Sequence, residues 1–226
     1  MSKIIVALDF DSPKKALDFL ATTKKEVEWV KIGLELFSAA GPAFIQEVKK
    51  QGFKVFLDLK FFDIPNTVLG AVKSVLTLKI DMLTLHLLGG KEMITQALRA
   101  KEIYPPCIFL GVTLLTSLDK NSLVWPEKRN LEEVVLDLAQ KGNNWKIDGI
   151  VCSPWEVETL KKHLPHLVFV TPGIRLEKTS DDQKRVLSPK EASKKGADFL
   201  VIGRPITRSK DPVQVLKKIK KELGEA

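Results

Sequence analysis

Cysteine is nearly absent from this chain: Cys107 and Cys152 are the only two in 226 residues. A disulfide framework or cysteine-rich metal cluster needs more partners, and each thiol lies in or beside an apolar run (CIFLGV, GIVCS), so both read as buried reduced thiols. Histidine is scarce, three in all, and no His, Cys and carboxylate spacing reads as a metal site. No stretch of about 18 uncharged apolar residues occurs, which argues against a membrane role. The opening MSKIIVALDFDSP meets an aspartate after five apolar residues, too soon for a secretory signal, so a cytoplasmic location is expected. Rossmann and Walker glycine patterns are also lacking, and no nucleotide cofactor is indicated.

What is present is an ordinary globular balance, 44% hydrophobic and 28% charged, with a formal net charge of +8. A basic chain invites nucleic acid as a partner. Here, however, the lysines are scattered over every helix-like segment. The densest run, LKKIKKELGE, interleaves acids and keeps its apolar residues at helical spacing, as a solvated helix face does. Attraction for small anions follows in either case.

One rhythm runs from end to end: a short β-branched apolar run, an amphipathic segment, then a turn. The strand candidates are 3–9, 29–33, 54–60, 82–88, 107–115, 149–153, 167–173 and 198–204. Between them lie helix-like segments such as SPKKALDFLATTKK, GPAFIQEVKKQG and DPVQVLKKIKKEL. Several of these open with Ser or Asp before Pro, a side-chain cap followed by a first-turn proline. Doubly apolar strands separated by helices imply a parallel sheet, and eight units of about 28 residues suit an α/β fold of the closed (β/α)8 type. A doubly wound open sheet is the alternative. With no linker or compositional break, a single domain over 1–226 is expected.

Barrel sites are built at the C-terminal ends of the strands, and polar residues gather there. The first strand ends in Asp9, the second carries Lys31 before Gly33, and the third ends in Asp58 and Lys60. The fourth holds His86, the fifth runs into Thr116 and Ser117, the seventh into Pro172, and the eighth into Gly203 and Arg204. Alternation along the third strand turns Asp58 and Lys60 to one side. With Lys31 and Asp9 they make a preorganised cluster that is neutral overall; an ion pair that merely neutralises itself is the plainer account. Gly203 and Arg204 before a helix start suit a phosphate. The segment 175–188 is long enough to fold over it. His163 and His166 flank Pro165 in an exposed turn, and His86 reads as a hydrogen-bonded wall residue.

The blocks VALD, VKIG, DLKFFDIPNTV, LTLHLLGG, VTLLTS, VTPGIR, DDQKR and VIGRPIT, in that order over nearly the whole chain, closely resemble the orotidine 5′-phosphate decarboxylase family. The resemblance implies decarboxylation of orotidine 5′-monophosphate to UMP, the last step of de novo pyrimidine synthesis, by a stand-alone homodimeric barrel needing neither metal nor organic cofactor. It further implies that Asp58 lies beside the departing carboxylate, that Lys60 protonates C6, and that Lys31 and Asp9 hold the ribose. Asp63, counted with Asp58, Lys60 and Lys31 in the catalytic set, would reach the neighbouring subunit's site together with Ile64 and Thr67. Ser117 and Thr116 would meet the pyrimidine and Pro172 would wall the base. Arg175 would join the substrate contacts, while Gln183, Gly203 and Arg204 grip the phosphate and 175–188 closes over it. Two alternatives stay open. A metal-dependent sugar-phosphate decarboxylase or synthase on the same barrel would want an acid near Lys31. A non-catalytic phospholigand binder would leave Asp58 and Asp9 unexplained, because carboxylates repel phosphate.

Overall fold

The computed structural model of the chain describes residues 1–118, 130–176 and 187–224. Its strands are β1 (Lys3–Ala7), β2 (Trp29–Gly33), β3 (Lys54–Phe61), β4 (Met82–His86), β5 (Ile108–Val112), β6 (Gly149–Val151), β7 (Val168–Thr171) and β8 (Phe199–Ile202). All eight pair in parallel, in sequence order, and β8 returns to β1 through Ile5 opposite Val201, which closes the barrel and removes the open-sheet alternative. The helices among the described residues are α1 (Pro13–Thr23), α2 (Leu34–Lys50), α3 (Pro65–Leu76), α4 (Gly90–Arg99), α5 (Leu131–Asn144), α6 (Val157–His163), α7 (Pro189–Lys194), α8 (Arg204–Thr207) and α9 (Pro212–Leu223).

The strands are apolar on both faces because both are buried. One alternating row, including Val6, Val30, Val55 and Leu83, joins the helices in the outer core; the other, including Ile5, Trp29, Phe56, Met82, Leu110 and Phe199, fills the barrel. Followed toward the strand ends, the inward row turns polar: Asp9 after Ala7, Lys31 after Trp29, Asp58 after Phe56, Thr84 after Met82. The period that builds the core therefore also aims the polar groups.

At the opposite end, a repeated device ties the sheet. Asp81, Asp148 and Asp198 precede β4, β6 and β8, and their carboxylates accept the backbone N–H of Val55, Phe109 and Phe169 at 2.7, 2.7 and 2.8 Å. Each also pairs with a lysine, respectively Lys49, Lys101 and Lys161. Their own carbonyls accept N–H groups from Ile108, Val168 and Lys3, so each aspartate joins the odd-numbered strands on either side of its own.

Several local expectations change. The strands are mostly shorter than their apolar runs, since Asp9, Thr116 and Ser117 lie beyond the ladder in loops and Arg204 opens α8. Helix α2 starts at Leu34, directly after β2, rather than at Gly41; Gly41 has φ +64° and kinks it before Pro42. Of the Ser/Asp-Pro starts, Asp211 and Ser188 cap with their side chains, whereas Ser12 makes no side-chain cap bond. Both cysteines are buried, and burial pushes the Cys107 thiol up to about 12, which leaves it inert.

Candidate active site

At the C-terminal ends of the strands lies a cavity of about 320 Å³, within the range of small-ligand sites. Its polar lining comprises Asp9, Lys31, Asp58, Lys60, Thr116, Ser117, Arg175 and Arg204, with Pro172, Gly173 and Gly203 beside them. Apolar walls come from Ala7, Phe56, Val112, Leu114, Leu115, Val151 and Val201, the uppermost inward residues and the loop after β5. Most residues singled out in the sequence thus converge on one space from six different strand ends.

The charged groups form a chain. Lys31 Nζ lies 3.0 Å from Asp9 Oδ1 and 4.0 Å from Asp58 Oδ2, and Lys60 Nζ lies 2.8 Å from Asp58 Oδ1. The Lys31 and Asp58 side chains are only 12% and 13% exposed, so their attraction is weakly screened. Gly33 makes room for this arrangement: a Cβ there would stand 2.8 Å from Lys31 Nζ.

Asp58 and Lys60 meet as expected, although simple alternation does not describe how. The β3–β4 register shifts between Leu57 and Phe61, and Lys60 adopts φ +50°, a left-handed conformation rare for a lysine. The displaced Lys60 N–H donates to Thr84 Oγ1 at 2.8 Å, and Thr84 donates to Asp58 Oδ1 at 3.1 Å. Thr84 escaped the sequence reading because threonine is an ordinary strand residue in an apolar run; its inward position, two residues before His86, was the available signal.

Asp63, Ile64, Thr67 and His86 sit apart from the cavity. Asp63, Ile64 and Thr67 are exposed beyond β3, with Asp63 Oδ1 accepting the Ile64 N–H at 2.6 Å. His86 does not line the cavity: its ring stacks on Phe62 at 5.4 Å, and its Nδ1 accepts the Leu88 N–H at 3.4 Å. Burial first, and the Lys60 charge second, hold its pKa below the ordinary imidazole value. Arg175 is buried and donates to the Ile174 carbonyl at 3.0 Å. Gln183 lies outside the described residues, as does 177–186 of the expected closing segment.

With this geometry in hand, comparison with known proteins decides the family. A family model described as orotidine 5′-phosphate decarboxylase / HUMPS family matches residues 2–219. The chain belongs to that family. Among curated relatives, the orotidine 5′-phosphate decarboxylase of Lawsonia intracellularis is 48% identical, covering 97% of this chain and 98% of its own. That of Dictyoglomus thermophilum is 46% identical over 98% of this chain and 95% of its own. Among solved structures, the orotidine 5′-phosphate decarboxylase of Lactobacillus acidophilus superposes with a TM-score of 0.84 at 35% identity, covering 98% of this chain and 99% of that one.

Proposed function

We propose that Lys60 delivers a proton to C6 of the pyrimidine of orotidine 5′-monophosphate while Asp58, set beside the departing carboxylate, promotes its loss. The overall reaction is decarboxylation to UMP, a carboxy-lyase activity of pyrimidine biosynthesis, and it follows from the family and the names of near full-length relatives. The C6–carboxylate bond breaks, its electron pair stays at C6, CO2 leaves, and the Lys60 ammonium protonates the carbon and regains its proton from water. The observation that carries this role is the 2.8 Å contact of Lys60 Nζ with Asp58 Oδ1 at the cavity wall.

Magnitudes divide the labour. Two like charges about 4 Å apart repel by about 4 kcal/mol at an effective dielectric near 20. The largest enzymatic accelerations need about 20 kcal/mol or more. Repulsion from Asp58 therefore assists, and stabilisation of the developing C6 carbanion by Lys60 supplies more. Lys31 and Asp9 hold the ribose, Ser117 and Thr116 meet the base, Pro172 walls it, and Arg175, Gly203 and Arg204 take the remaining substrate contacts with Gln183. The segment 175–188 closes over the phosphate; its described ends are tied at the rim, where the Arg175 N–H donates to the Leu187 carbonyl at 3.0 Å. A barrel that uses every unit of the chain supports one domain over 1–226.

The working form is a homodimer in which Asp63, Ile64 and Thr67 complete the neighbour's site. Its support is an apolar patch at three adjacent strand ends: Leu34, Phe62, Ile64 and Leu88 are 59%, 58%, 67% and 37% exposed. The chemistry needs no metal: Asp9 and Asp58 are each engaged by an ammonium, and Lys31 stands where the sugar-phosphate relatives need an acid. Two buried thiols suit the reducing cytoplasm, and no described helix is long and apolar enough to cross a membrane. The direct test adds orotidine 5′-monophosphate in the presence of a chelator and follows the orotate ultraviolet band. The band should disappear at an unchanged rate; no loss, or loss abolished by the chelator, would favour the sugar-phosphate alternative.

A further inference from the structure

Thr84 is fully buried in the inward row of β4, yet its hydroxyl is bonded on both sides. A hydroxyl has one proton to give. Donating it to Asp58 Oδ1 leaves the Thr84 oxygen to accept the Lys60 N–H, so the two bonds orient each other. Asp58 Oδ1 also accepts from Lys60 Nζ. One hydroxyl and one carboxylate oxygen thereby hold both ends of Lys60, its backbone amide and its ammonium.

This arrangement stands where β3 departs from regular pairing. The register shift before Phe61 takes the Lys60 amide out of the β3–β4 ladder, and Thr84 Oγ1 supplies the acceptor the ladder no longer offers. The left-handed backbone of Lys60 is disfavoured for a residue with a side chain and persists only where its surroundings hold it. We propose that Thr84 is a positioning residue for the reaction: it holds Lys60 in its left-handed turn and keeps Asp58 Oδ1 against the ammonium, setting where the proton is delivered.

The inference rests on Lys60 as the proton donor, so Lys60→Ala is measured beside the Thr84 variants. Thr84→Val removes the hydroxyl at nearly constant shape and should lower kcat about 100-fold, as a displacement of about 1 Å at a reacting group does. KM for orotidine 5′-monophosphate and Kd for UMP should stay within about twofold, because a loss confined to the chemical step spares ground-state binding. Thr84→Ser, which restores the hydroxyl without the methyl, should recover kcat to within about threefold of wild type. Should the valine variant fail to fold, Thr84→Ala is the second hydroxyl-free variant, judged by the same criteria. Full kcat in a folded hydroxyl-free variant, with Lys60→Ala inactive, would overturn the role of Thr84 alone. A serine variant as slow as the valine one, both folded, would also overturn it, since restoring the hydroxyl would then fail to restore the position of Lys60. Normal turnover by Lys60→Ala would instead overturn the reading of Lys60 on which the inference depends.

Discussion

Gly33 matters for the side chain it does not have. Its backbone is extended, so conformation alone does not require glycine; the constraint is the Lys31 ammonium lying where a Cβ would go. Because that obstacle is the end of a flexible side chain, Gly33→Ala should fold with an unchanged melting temperature. Lys31 must then shift from its place between Asp9 and Asp58, and kcat/KM should fall about tenfold in steady-state assays. At this scale the sequence was most informative about charge: Asp9, Lys31, Asp58 and Lys60 interrupt apolar runs, and a buried carboxylate beside an ammonium needs a reason. It was silent about conformation. Lysine is not a turn residue, so nothing in FLDLKFF announces φ +50°, and nothing in MLTLH singles out Thr84.

Among elements, the strand–helix rhythm made the barrel legible because doubly buried strands must be apolar on both faces and each crossover needs a helix. The aspartates before β4, β6 and β8 were harder to see, since KIDM, KIDG and GADF read as turn punctuation until the ladder shows what they join. Asp148 illustrates their work: it accepts the Phe109 N–H and holds Lys101, which also lies 5.7 Å over the Phe109 ring. Asp148→Ala strands that amide and should destabilise the fold by about 2 kcal/mol. For a chain of this size that is a drop of roughly 4–8 °C in melting temperature, followed by circular dichroism. Since Asp148 lies at the opposite end from the cavity, kcat should not change. The start of α2 was missed for a related reason: LELFSAA follows β2 with no intervening polar turn, and Gly41-Pro42, read as a beginning, is a kink.

For the molecule as a whole, the lysines behind the charge of +8 are scattered along the sequence with acids among them rather than concentrated in one run, which suits attraction of a small dianion better than tracking of a polymer. The apolar patch around Asp63 is the whole-molecule feature that the sequence could suggest only through family likeness, because exposure of Phe62 and Ile64 depends on where β3 ends. The central claim is that each site takes Asp58 and Lys60 from one chain and Asp63 from another. The most direct measurement mixes Lys60→Ala and Asp63→Ala chains after dissociation and assays orotidine 5′-monophosphate decarboxylation. Each variant alone should be nearly inactive. Random reassembly makes half the dimers mixed, each with one intact site of two, so about a quarter of wild-type activity should return. A mixture no more active than its components, or a fully active Lys60→Ala chain, would contradict the account.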